Sequence, residues 1–190
     1  VKLAVFERHH RSGHVGLGFL GNYGLQCGAV ASSIAHDSHN LIVAGTNDAD
    51  MVLAGNTVRK NKGGLAFALN GQVVGELPLP VAGLMSTESA ETVEEKLQAL
   101  KAALKAHGIS EDIDAFMTLA FVSLPVIPKL RLNTYGIVDS YSCAIYSEYV
   151  TQALDQMGIP YMSAGSSISV VTIAAAAVAV AAVAVAIYFL

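Results

Sequence analysis

Short apolar runs separated by turn-forming residues make up most of the N-terminal half of the chain. The segment 2–8, KLAVFER, is apolar at its centre and charged at both ends, which predicts a strand. The runs 29–35 and 41–44 are too short for helices and are flanked by turn formers, so they predict two more strands. The stretch ASSIAHDSHN therefore carries the link between two predicted strands.

The glycine-rich segment 9–28 interrupts this pattern, and we expect an irregular loop there rather than a strand or a helix. Within it, GLGFLG at 16–21 has the glycine spacing of a dinucleotide-binding turn. It runs into further glycines instead of opening the helix whose N-terminus would bind a pyrophosphate. We therefore reject a dinucleotide site.

A hairpin and two helices are predicted in the middle of the chain. Asn70 and Gly71 separate two apolar runs and favour a type I′ turn, which needs positive φ at both positions. The segment 47–60 begins with good N-caps and places its apolar residues near one face. The segment 88–107 repeats apolar residues every three or four positions, with glutamates early and lysines late. We expect these two helices to cover a sheet that contains the hairpin.

The C-terminal part of the chain changes character twice. Residues 116–132 have a strand-like composition, and Pro125 and Pro128 lead us to expect an extended or edge segment rather than a helix. Residues 144–158 have helical spacing, and 170–190 form an apolar run rich in Ala and Val. That run is long enough to span a bilayer, but alanine is a weak driver of insertion and the Ala/Val alternation also suits a strand.

Together these elements predict the α+β class, as a layered domain with a mixed β-sheet covered by helices, plus an unassigned apolar C-terminal tail. We place the domain at 1–139 and a helix plus an Ala/Val-rich tail of unknown origin at 140–190. A chain of 190 residues is long enough for one sizeable core. Neither a disulfide nor a metal is needed merely to hold it together.

Charge and cysteine content narrow the choice of partners. The formal net charge is −4 and basic residues are mixed with acidic ones, so we expect no basic face for nucleic acid. The two cysteines are far apart in sequence and form no CxxC pattern, which favours reduced thiols and a cytoplasmic protein. Membrane association is an alternative only through 170–190, if that tail is native and inserted.

The strand link carries the candidate chemistry. His36, Asp37 and His39 put two imidazoles and a carboxylate within four positions, which suits a cation site or a general acid–base pair oriented by the aspartate. The same stretch also suits an Asx-type turn, in which Ser38 and Asn40 help to close the link and the histidines are solvated. Spacing alone leaves both interpretations open.

A second polar group follows the first predicted strand. The sequence ERHH at 7–10 supplies a carboxylate, a guanidinium and two imidazoles, and His14 follows four residues later. If the first two strands pair, these side chains and the strand link converge into a cluster of five histidines. In the alternative interpretation, Glu7 and Arg8 are simply solvated at the end of a strand.

Four segments resemble, in order, the C-terminal domain of microbial adenine deaminases over about residues 4–139. They are ERHHRSGHVGLGFL, GLQCGAVASSIAHDSHNLIVAGTNDADM, ELPLPVAGLMS and FMTLAFVSLPVIPKLRLNTYGIVD. The resemblance implies an enzyme of the amidohydrolase superfamily that hydrolyses adenine to hypoxanthine and ammonia through a metal-activated water. It also implies a divalent metal, Mn or Fe or Zn, bound mainly by an N-terminal β/α barrel.

The resemblance assigns roles to the strand link and to partners. It favours His36, Asp37 and His39 as catalytic residues and Ser38 and Asn40 as substrate-binding residues, while any metal ligands of this chain are unknown. The expected partners are adenine, the amidohydrolase barrel and further copies of the chain in a homo-oligomer. A barrel takes about 200 residues or more, so we expect this chain alone to be inactive. The alternative is a stand-alone module for a small ligand or a metal, tethered to a membrane by its tail.

Overall fold

The computed structural model describes residues 1–141 and 144–145. These residues form nine strands and three helices. In chain order they are β1 Lys2–Phe6, β2 Val15–Phe19, β3 Ala29–Ser32, β4 Leu41–Gly45, α1 Asp48–Lys60, β5 Gly64–Leu69, β6 Gln72–Pro78, α2 Ala90–Ala106, α3 Ala115–Val122, β7 Leu130–Asn133, β8 Gly136–Asp139 and β9 Ala144–Ile145.

Six strands form one sheet in the order β2-β1-β4-β3-β5-β6, and β7, β8 and β9 form a second, smaller sheet. The layered α+β class is confirmed. Every pairing between described strands is antiparallel, which refines the mixed sheet that we expected. Short links explain the antiparallel pairing of β1 with β2, β3 with β4, β5 with β6 and β7 with β8, because parallel neighbours need a crossover of a dozen or more residues. The β1–β4 and β3–β5 pairs are antiparallel although longer segments separate their strands.

Alternate residues of the central strands face two separate hydrophobic layers. On β1, Leu3 and Val5 join the layer packed against α2 and α3, while Ala4 and Phe6 join the layer packed against α1. Because both faces of the sheet are covered, β3 and β4 are buried along their whole length. The apolar sequences of β4 and of β3 up to Ser32 follow from that double burial.

The predicted hairpin and the two predicted helices are confirmed. Asn70 and Gly71 have φ of +51° and +75°, as a type I′ turn between β5 and β6 requires. Helix α1 is capped by Asn47, whose side chain accepts the Asp50 N–H at 2.9 Å. Helix α2 is capped by Ser89, which accepts the Thr92 N–H at 3.3 Å.

The expectation of an irregular loop over 9–28 was wrong for its centre, where β2 forms the edge of the main sheet. Strand β2 pairs with β1 from Val15 opposite Phe6 to Phe19 opposite Lys2. Its glycines permit a close backbone approach rather than breaking the strand. A Cβ atom on Gly16 would lie 1.7 Å from the carbonyl oxygen of Asn133, so only glycine fits there.

The expectation of an extended segment over 116–132 was wrong for its first part, which is helix α3. The Asp114 side chain accepts the N–H groups of Phe116 and Met117 at 3.1 and 3.0 Å and so caps the helix. Pro125 does not prevent this helix, because it follows the helix end at Val122. Within 116–132, a strand forms only at the end, where β7 begins at Leu130.

The end of the described region corrects one further expectation. Residues Ala144–Ile145, where we expected a helix to begin, form β9 and pair with β8. The rest of that predicted helix and the apolar run 170–190 lie outside the described residues. The domain boundary after Asp139 stays a prediction. Among the helices that the structure describes, none combines the length and apolarity needed to cross a membrane.

Candidate functional site

The strand link predicted to carry chemistry is the loop between β3 and β4. We call residues 36–40 the histidine loop. It is tied to α3 by the His36 N–H, which donates to the Ala120 carbonyl at 2.9 Å. It closes on itself through the His39 N–H, which donates to the Ala35 carbonyl, and His39 has a φ of +48°. The antiparallel pairing of β3 and β4 brings the two ends of this loop together.

The two histidines of the loop face each other. Their ring centroids lie 5.7 Å apart with the planes at 73°, and both side chains are half-buried. The His36 ring also contacts the Phe121 ring of α3 at a centroid distance of 4.9 Å. Asp37 lies between them in sequence and is exposed. The structure thus brings His36 and His39 together beside an accessible carboxylate.

The hydrogen bonding of His39 fixes its tautomer. The backbone N–H of Ala35 donates to Nδ1 of His39 at 3.3 Å, so the proton of the neutral ring is on Nε2. Burial lowers the pKa of His39, and the neighbouring His36 and Arg8 lower it further. His39 is therefore mainly neutral at pH 7 and offers an Nε2–H donor.

The two predicted substrate-binding residues occupy different environments. The Asn40 side chain is only 7% exposed, and its Oδ1 accepts the backbone N–H of Arg8 at 3.3 Å. Ser38 is exposed, and its carbonyl accepts a hydrogen bond from Nε2 of His9 at 2.7 Å. Asn40 thus holds the loop to the end of β1, and substrate binding by Ser38 and Asn40 stays a prediction.

The segment after β1 does converge with the histidine loop, because β1 pairs with β4. The Arg8 guanidinium donates from Nε to the His39 carbonyl and from Nη2 to the Ala82 carbonyl, the latter at 2.7 Å. It also packs against Gly83, where a Cβ atom would lie 2.5 Å from Nη2. The expected cluster of five histidines is not complete, since the His14 ring packs instead on Tyr135 at 5.1 Å.

Glu7 is buried rather than solvated at the strand end. Its carboxylate accepts the backbone N–H groups of His9, His10 and Ser12. Burial by itself favours the neutral acid, but these backbone donors prevail and lower the pKa of Glu7 to about 2. Glu7 is therefore a charged structural group that shapes the turn after β1.

The described residues do not fit a metal centre. Among residues 1–141 and 144–145, no three or more His, Cys, Asp or Glu side chains are grouped to hold a metal ion. In addition, His39 has its Nδ1 lone pair engaged by a backbone N–H and its proton on Nε2, so neither nitrogen is free to ligate. The histidine loop instead offers hydrogen-bond donors and acceptors.

Sequence reasoning missed the part that Arg8 plays in joining separate segments. Its contacts reach His39 and Ala82, which are 31 and 74 positions away in the chain. No local spacing encodes contacts of that range. It also missed that Arg59 and Lys62 line a cleft together with Arg8. In the sequence these two basic residues mark only the C-terminal end of a helix.

Comparison with known proteins gives the relationship of the chain. The profile of the adenine deaminase C-terminal domain matches residues 1–143. Adenine deaminase 2 of Carboxydothermus hydrogenoformans is 52% identical over 138 residues, which cover 73% of this chain and 24% of that protein. The adenine deaminase of Moorella thermoacetica is 50% identical over 139 residues, covering 73% of this chain and 23% of that protein. The chain thus spans about a quarter of the length of these relatives, and it belongs to the adenine deaminase C-terminal domain family.

Proposed function

We propose that the chain is the C-terminal portion of an adenine deaminase, an enzyme that hydrolyses adenine to hypoxanthine and ammonia. The observation that carries this proposal is the family match over residues 1–143, together with relatives about half identical that are named adenine deaminases. These similarities favour it over a stand-alone ligand-binding module. Because the chain spans about a quarter of those relatives, we expect an amidohydrolase barrel to supply the rest of the site.

The chemistry that we assign to the chain is hydrogen bonding and proton transfer from the histidine loop. His39 is mainly neutral at pH 7 and donates from Nε2, which suits the ring nitrogens and the leaving amine of a purine. Asp37 is exposed and accepts hydrogen bonds, which suits the exocyclic amino group. His36, whose ring packs against Phe121, is the third polar side chain that the histidine loop offers beside His39 and Asp37.

A divalent metal, Mn or Fe or Zn, would supply the activated water when bound, and we expect the barrel to hold most of its ligands. The described residues of this chain do not fit that role, so its contribution is to position and protonate. We further propose a cytoplasmic, homo-oligomeric enzyme. The absence of a CxxC pattern supports the first point, and the second follows only from the resemblance.

Alanine substitution of the loop tests this assignment in the full-length enzyme. Replacing His36, Asp37 or His39 individually by Ala should lower kcat for adenine by about 100-fold or more, as loss of an acid–base group does. Steady-state kinetics with adenine measure the effect, and thermal melting verifies that each variant folds.

Matched controls separate the loop from general surface effects. His14→Ala and Asp112→Ala remove the same side-chain types at exposed positions elsewhere, and we expect kcat within about 2-fold of the unmodified enzyme. Unchanged deamination in all three loop variants would refute the catalytic assignment while leaving the family membership intact.

A further inference from the structure

A cleft at the C-terminal end of α1 is distinguished by its positive charge. It has a volume of about 580 Å³ and lies between the end of β1, the start of β4 and the residues that follow α1. Four cationic side chains and one carboxylate, Glu7, line it, which leaves a local net charge of +3. The whole chain carries −4, so this cleft opposes the general charge of the molecule. The four cations are Arg8, Arg11, Arg59 and Lys62.

These cations are not neutralised by ion pairs between described residues. The ion pairs in the described part of the chain involve other basic groups, namely Lys2, His10, Lys96, Lys101 and Lys105. The guanidinium of Arg8 donates to two backbone carbonyls, which fix its direction but leave its charge. The side chains of Arg11, Arg59 and Lys62 are exposed and can turn toward a ligand.

The one carboxylate in the lining does not cancel this field. Glu7 is 9% exposed and its oxygens accept N–H groups from the turn that follows β1. Those donors keep Glu7 ionised, and its single negative charge against four cationic side chains still leaves the cleft with an excess of positive charge. Apolar side chains of Phe6, Leu41 and Val58 form the remaining wall. A cleft with low-dielectric walls and charges of one sign concentrates counter-ions.

We propose that this cleft binds the phosphate group of a small phosphorylated molecule. Guanidinium groups present parallel N–H donors that match two oxygens of a phosphate, and Arg11 and Arg59 are exposed where they can offer such a pair. Arg8 adds its positive charge at a fixed place, since its Nε and Nη2 atoms donate to the His39 and Ala82 carbonyls. The volume lies within the range of small-molecule sites, and the apolar wall can pack against the rest of such a ligand. Adenine is uncharged, so the anion that we propose for this cleft is a second ligand, and its binding can be tested without deaminase activity.

Calorimetric titration of the full 190-residue chain tests the proposal. The probes are inorganic phosphate, AMP and adenosine at pH 7 and low ionic strength, where charge is least screened. Phosphate and AMP should bind saturably with one site per chain, and adenosine should bind at least 10-fold more weakly than AMP. Adenosine binding as tight as AMP, or no saturable phosphate binding, would overturn phosphate recognition.

A pair of double variants locates the site. Arg59→Gln with Lys62→Gln should weaken phosphate and AMP binding at least 10-fold. Both side chains are exposed, so circular dichroism melting should show an unchanged fold. The control, Lys60→Gln with Lys129→Gln, removes the same charge from exposed positions outside the cleft lining and should change affinity less than 2-fold. Equal weakening in both double variants would show a net-charge effect and refute the cleft as the site.

Discussion

Glu7 stabilises the fold as an anion, and this makes its contribution dependent on pH. Its pKa is about 2 in the folded chain and 4.5 ordinarily. The stabilisation is therefore fully present above pH 4.5 and is lost as the pH falls through 4.5 toward 2. Glu7→Gln should lower the free energy of unfolding at pH 7 by about 1.5–3 kcal/mol, the cost of losing hydrogen bonds to a charged group. Urea unfolding at pH 7 and at pH 3 measures the free energy of unfolding of each chain and its dependence on pH.

The same measurement on Glu111→Gln supplies the comparison, because Glu111 has a side chain that is 88% exposed. We expect this variant to match the unmodified chain within about 0.5 kcal/mol at both pH values. For Glu7→Gln, the free energy of unfolding should differ less between pH 7 and pH 3 than it does for the unmodified chain. A difference as large as that of the unmodified chain would mean that another carboxylate controls acid stability.

The sequence could not predict the environment of individual side chains such as Glu7. The ERHH sequence was compatible with a solvated strand end and with a functional cluster. What decides between them is the turn after β1, whose backbone N–H groups point at the Glu7 carboxylate. Side-chain identity does not record where backbone donors point. The residues of the histidine loop could be selected from sequence, but the neutral Nε2–H form of His39 could not.

Asp50 connects two elements that the sequence presents as independent. Its carboxylate accepts from Asn47 within the α1 cap and from the N–H groups of Asn70 and Gly71 in the β5–β6 turn, at 2.7, 3.1 and 2.8 Å. The residue is 1% exposed. Asp50→Ala should lower the free energy of unfolding by about 3 kcal/mol, because three donors then lose their buried acceptor. Urea unfolding at pH 7 measures this.

Asp48→Ala, at the first position of the same helix, is the matched control for Asp50. Asp48 pairs with Lys2 at 2.7 Å, and both side chains are partly exposed. Such a pair is worth about 1 kcal/mol or less, so this variant should retain most of the stability. Equal losses in the two variants would show that the α1 cap region, rather than the tie to the hairpin turn, carries the effect.

At the scale of elements, the sequence predicted correctly those helices and strands whose apolar periodicity, caps and turn residues lie within the segment itself. Helices α1 and α2 and the β5–β6 hairpin have caps and turn residues adjacent in sequence, and all three were predicted. Strand β2 and helix α3 were missed for the opposite reason. The β2 glycines Gly16 and Gly18 lie against Asn133 and Leu132, which are distant in sequence. Helix α3 is apolar on its buried face and also at the exposed Met117 and Phe121, so its sequence lacks the polar face that marks a helix.

At the scale of the whole molecule, catalysis should require more than this chain. We expect the 190-residue chain supplied with Mn²⁺ and adenine to form no hypoxanthine above background, since its described residues hold no metal group. Ultraviolet absorbance follows the conversion. Adding the chain to the Carboxydothermus hydrogenoformans enzyme truncated of its matching segment should raise turnover. Metal-dependent turnover by the chain alone would contradict the division of labour that we propose.

The contact between Arg8 and Gly83 has a consequence for how this domain can diverge. Gly83 has a φ of +77°, and any side chain there would overlap the guanidinium that reaches the Ala82 carbonyl. A side chain at position 83 therefore requires the Arg8 guanidinium to move. This movement breaks its hydrogen bond to the His39 carbonyl, which anchors the histidine loop, and removes one cationic group from the lining of the cleft. Loss of Arg8 alone creates no such overlap at Gly83, so the arginine can be replaced first and a side chain at position 83 can follow.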